Sequence, residues 1–118
     1  MELLTAEIEA RLLENGRKQQ LVRGTSDEID FLPVVKLFTP DAACTWLLSE
    51  IDPDDPEIAF GLCDLGMGFP ELGAVSLAEL RALRGKLRLP VERDLHFQAD
   101  KPLSAYADEA RRLGHIKA

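Results

Sequence analysis

A chain of 118 residues, 46% hydrophobic and 30% charged, is long enough for one domain with its own core and too apolar to be wholly disordered. Its formal net charge of −7 opposes plain binding to nucleic acid, because phosphate contacts need a basic surface. No apolar run nears the roughly 18 residues that span a membrane, and the acids in the opening MELLTAEIEARLLENG do not suit a secretory leader, so a cytoplasmic protein with no membrane partner is expected.

Thr5 suits an N-cap with Glu7 in the first turn, and Leu4, Ile8, Leu12 and Leu13 recur at helical spacing. The predicted first helix covers about 6–15 and ends at Asn15-Gly16, with Gly16 in the left-handed position after the helix. Residues 17–32 are polar and aperiodic and read as a long connection. Pro33–Phe38 is β-rich and Thr39-Pro40-Asp41 turns it; Thr45–Ile51 is a second strand, Asp52–Pro56 a turn, and Ile58–Leu65 a third strand. Gly66–Gly73 reads as a glycine-rich loop before a short strand at Ala74-Val75. Ser76 and Glu79 form a capping box for a helix reaching Arg84 and stopped by Gly85. Val91–Phe97 alternates with period two and predicts a strand, interrupted on its apolar face by Arg93. Pro102 opens a last helix through Leu103, Tyr106, Ala107, Ala110 and Leu113, ended by Gly114.

The short links between strands favour antiparallel neighbours. The expected fold is therefore α+β: a two-layer sandwich with a mainly antiparallel sheet of 4–5 strands and three helices mostly on one face, as one domain over 1–118.

The charge is split along the chain. Residues 27–72 hold eleven acids against Lys36 alone, whereas residues 73–118 hold nine bases against six acids. The molecule is a dipole if the fold keeps these segments apart. Within the strands, Lys36 and Phe38, then Trp46 and Glu50, then Phe60 and Asp64 each share a parity. If the sheet has one open face, these six form an aromatic patch with a polar rim, as binding surfaces do. The alternative is a core face whose strand-end charges reach water, with Lys36 and Glu50 as a cross-strand ion pair. Met67 and Phe69 in the glycine loop are either exposed apolar anchors or tucked into the core.

Other constellations are weaker. The carboxylates Glu50 and Asp64 can do acid–base work only if their surroundings push their pKa values apart. Arg81, Arg84, Lys86, Arg88 and Arg93 form the one basic stretch, which serves either phosphates or a solvated surface. The acid cluster Glu50, Asp52, Asp54, Asp55, Glu57 and Asp64 either binds a hard cation or is a solvated turn, and the lack of the EF-hand pattern favours the solvated turn. Cys44, Cys63, His96 and His115 show no metal-ligand spacing, and Ser49 with Asp94 and His96 lacks a nucleophile elbow, so no metal or cofactor is expected.

The phrases FTPDA, TWLL, FGLCDLG, GFPELG and DLHF resemble the bacterial family catalogued as domain of unknown function 2958, and the resemblance covers nearly the whole chain. It implies a short bacterial protein associated with plasmids and other mobile DNA, and it brings no activity, cofactor or catalytic residue. The reading that results is a protein-interaction module beside DNA-processing proteins, more a binder than an enzyme, with a protein partner and the oligomeric state open. The alternatives are a small enzyme using Glu50 and Asp64 and a nucleic-acid binder using Arg81–Arg93.

Overall fold

Thr5 starts the first helix through its side chain: Oγ1 accepts the Ile8 N–H at 3.1 Å, pairing one of the free donors of a helix start. In the computed structural model, which describes residues 2–118, this helix (α1) runs Ala6–Gln20. It passes through Asn15-Gly16, where the sequence pattern placed its end. Gly16 is buried inside α1, and a Cβ there would lie 1.8 Å from the Ile51 carbonyl oxygen. The glycine thus permits close helix–strand approach and does not terminate the helix. Asn15 likewise ties the helix to the sheet, its Nδ2 donating to the Ser49 carbonyl at 2.9 Å.

Five antiparallel strands follow: β1 (Val35–Phe38), β2 (Thr45–Ile51), β3 (Ile58–Asp64), β4 (Glu71–Ser76) and β5 (Glu92–Arg93). They lie in the order β4-β3-β2-β1-β5. β2 matches its predicted span, β1 starts two residues late at Val35 and β3 stops one early at Asp64, while β4 and β5 differ most. β4 takes in Glu71–Gly73, which pair with β3 instead of looping out. β5 is cut to two residues because Asp94, after one last bond from its N–H to the Lys36 carbonyl, caps the His96 N–H with its own Oδ1 at 2.9 Å and turns the chain away. Ser76 caps α2 (Leu77–Ala82) by accepting the Glu79 N–H, and Gly114, at φ 82°, ends α3 (Leu103–Leu113) in the left-handed conformation.

The fold is α+β, with the helices and the sheet forming a layered sandwich. α1 and α2 cover one face, where Leu4, Leu12, Leu77 and Leu80 pack on Val35, Leu37, Trp46, Leu48, Ile51 and Ala59. On the opposite face, Leu103, Tyr106, Ala107 and Ala110 of α3 cover Leu47 and Leu62. Register decides which parities align. Leu37 faces Trp46 and Val35 faces Leu48, so Trp46 lies under α1, while Lys36 faces Leu47 and Phe38 faces Thr45 on the α3 side. Trp46 is 3% exposed. The proposed joint face of Phe38, Trp46 and Phe60 therefore does not exist, because Trp46 points into the other core.

A β-bulge at Ser49 moves one further residue. The ladder shifts between Leu48 and Glu50, leaving Glu50 opposite Phe60. Glu50 thereby leaves the face of Trp46 and Leu48, as an extra residue in a strand requires.

Candidate protein-docking surface

β3 ends at Asp64, a buried carboxylate bound to two segments. Its Oδ1 accepts the Gly66 N–H at 2.8 Å and its Oδ2 the Ile116 N–H at 3.0 Å. The first bond starts the loop between β3 and β4. Gly66 and Gly68 carry it through φ of 79° and 85°, and Pro70 anchors its far end by burial. A loop held at both ends in this way turns its apolar side chains outward. Leu65 is 54%, Met67 70% and Phe69 81% exposed. With Cys63 and Glu71 they border a cleft of about 330 Å³. Burial, reinforced by Glu71, pushes the Cys63 thiol up to about 11, so at neutral pH it is an uncharged wall and not a nucleophile.

The other residues marked in the sequence are dispersed. Lys36 lies on the α3 face and pairs with Asp94 at 3.5 Å, not with Glu50. These two, with Phe38, Cys44 and His96, line a cleft of about 500 Å³ at the end of β1. The His96 backbone N–H, with Lys36 adding to it, holds the Asp94 carboxyl below the usual carboxylate range. Glu50 borders a separate cleft of about 460 Å³ with Gln19, Arg23 and Phe60. Its Oε2 meets the Arg23 guanidinium at 3.3 Å. The Glu50–Asp64 pair is not an acid–base couple: Glu50 faces Phe60 and Asp64 faces Thr45, at opposite ends of the β2–β3 ladder. At about 3.4 Å per residue their backbone positions stand roughly 14–17 Å apart along the ladder. Two carboxylates acting on one bond need to be closer than about 10 Å.

Burial raises the Glu50 pKa, and the opposing pull of Gln19 and Arg23 does not restore it. The folded protein therefore holds this proton more tightly than the unfolded chain. The associated stability is complete below the unfolded value of 4.5 and is lost as pH rises through the folded value. Glu50→Gln should remove that loss. Urea unfolding at pH 4.5 and pH 7 checks it: the parent should lose more stability between the two pH values than the variant does.

Charges separated along the chain mix in space. Arg81 of the basic segment reaches back to Glu57 of the acidic one at 3.2 Å. In the acidic turn, Asp52 and Asp55 cap the N–H groups of Asp54 and Glu57, and Asp54 accepts from Gln20. The basic stretch is divided too: Arg93 donates to the Glu2 and Leu3 carbonyls, Arg84 to those of Arg81 and Leu83, while Lys86 and Arg88 are exposed beyond α2. Asp41 fixes their loop by accepting the Leu87 and Leu89 N–H groups. Ser49 is buried in the bulge and donates to the Phe60 carbonyl, which removes it from any triad with His96. Among the described residues no three His, Cys, Asp or Glu side chains converge as metal ligands would, and no helix is long and apolar enough to cross a membrane.

The sequence pattern did not single out Leu65, which it placed at the end of the third strand, nor Leu72 of β4, which is also exposed. The signal for Leu65 is Asp64-Leu65-Gly66, where an aspartate capping the N–H two residues on marks the strand end. Comparison with curated proteins and with solved structures gives no match. The family model described as "Protein of unknown function (DUF2958)" matches residues 3–117, and the chain belongs to that family.

Proposed function

We propose that the chain is a protein-interaction module whose β3–β4 loop docks a protein partner. The observation that carries this is the joint exposure of Leu65, Met67 and Phe69 around one apolar cleft. Exposed leucines scattered singly are ordinary surface. A cluster of large apolar side chains fixed by glycine geometry and a buried aspartate is a different case, because apolar groups gathered on a surface mark association sites. Aromatic residues and methionine are also enriched at such interfaces. The association with mobile DNA that the resemblance to this family implies directs the search for the partner to DNA-processing proteins.

Replacing Met67 and Phe69 together by Ser should weaken partner binding at least tenfold, since burying either side chain is worth about 1.5–3 kcal/mol. The melting temperature should stay unchanged, because both side chains are exposed in the free chain. Titration of the double variant against the isolated partner reads this out; unaltered affinity would contradict the reading.

A further inference from the structure

The sheet protects its two edges unequally. β5 ends one side with two residues, too short to template another strand. β4 ends the other with six, all in regular register with β3. Edge strands of that length are usually blunted by lysine, proline or a bulge. β4, ELGAVS, has none of these, and Glu71, Leu72 and Ala74 are exposed.

Gly73, at the middle of β4, adds a second observation. It does not adopt a positive φ, and a Cβ built on it would meet nothing within 4 Å. Gly16 and Gly61, by contrast, would meet backbone oxygens at 1.8 and 2.0 Å. Nothing within the chain calls for glycine at 73, in a strand that glycine weakens. Such a glycine marks a bulge, a bend or the close approach of a ligand or another backbone, and the unbroken register with β3 leaves no bulge here.

We propose that the outer edge of β4 pairs antiparallel with β4 of a second copy of this chain, making one continuous sheet across a twofold axis at Gly73. The strand is self-complementary about that point. Leu72 of each copy meets Ala74 of the other, large against small, and Gly73 meets its own counterpart with no side chain at the axis. Charge favours the same arrangement. Each copy carries −7, yet between Leu65 and Ser76 the only charged residue is Glu71. In this register the two Glu71 residues stand four positions apart along the strands, about 13 Å. That exceeds the roughly 8 Å over which charges act at physiological salt. This inference goes beyond the docking reading: it stands on the edge strand, that reading stands on the loop, and the dimer presents two copies of the loop.

Sedimentation of the full chain from micromolar to millimolar concentration tests it, together with Leu72→Lys and Gly73→Cys. The expected result is a species of twice 13.1 kDa whose dissociation constant weakens at least tenfold in Leu72→Lys, with the circular dichroism unchanged. Gly73→Cys should form an intermolecular disulfide on mild oxidation, because facing residues in an antiparallel pair have the Cα separation a disulfide needs. The parent, with Cys44 and Cys63 half-buried, and Ala78→Cys should not link. A monomer at every concentration overturns the proposal, as does a dimer unaffected by Leu72→Lys. If Leu72→Lys fails to fold, the Gly73→Cys link decides, and its absence overturns the proposal. Partner titration reads the loop separately, so either idea can fail alone.

Discussion

Gly16→Val is expected to destabilise the protein by about 3 kcal/mol or more, a large share of the roughly 5–15 kcal/mol typical of a domain. The position is mid-helix, and its Cβ would stand 1.8 Å from the Ile51 carbonyl oxygen and 3.0 Å from the carbonyl carbon. Both atoms are β2 backbone, held in the ladder opposite Ala59, so no side chain can rotate out of the way. Relief requires α1 to lift from β2, separating Leu12 from Leu48 and Ile51 in the larger of the two cores. Gly73→Ala is the control. Its Cβ meets nothing, and the change should stay within about 0.5 kcal/mol of the parent when monomer stability is compared. Urea unfolding of the three proteins at low concentration measures both effects.

Trp46→Ala should cost about 3–5 kcal/mol, the range for removing a large aromatic side chain from a core. Trp46 is 3% exposed, faces Leu37 on β1, and belongs to the cluster beneath α1. Phe69→Ala removes an aromatic of similar bulk at 81% exposure and should change stability by less than about 0.5 kcal/mol. The contrast separates the two roles that the sequence alone leaves mixed. Equal losses from the two substitutions would mean that the assignment of core and surface is mistaken, and the same unfolding measurement shows it.

Much of the fold is legible from local chemistry. Thr5 and Ser76 cap helices as their side chains allow, Gly114 ends α3, and the Asp-Pro turn and the Thr-Pro-Asp turn divide β1, β2 and β3 near their observed limits. What is not legible depends on distance between segments. Gly16 after Asn15 resembles a helix stop, and only the Ile51 carbonyl reveals its different role. Alternation shows that Trp46 and Leu48 share a face. It does not show whether that face aligns with Val35 and Leu37 or with Lys36 and Phe38, because register fixes that choice. The bulge at Ser49 adds a residue that no periodicity announces, and it carries Glu50 to the side of Phe60. Within the docking surface, Met67 and Phe69 are legible as candidates because glycines flank them. Leu65 is hidden because it continues the apparent strand pattern past the Asp64 turn.

The docking reading meets its most direct test in photo-crosslinking inside native host cells, with a photoreactive amino acid placed at Phe69, at Met67, or at Leu21 in separate experiments. Leu21 is the control: it is also apolar and 85% exposed, and it follows directly on α1. The account predicts one adduct of defined mass, with a protein other than this chain, from positions 67 and 69 and none from 21. No adduct from 67 and 69, or the same adducts from all three positions, would contradict it.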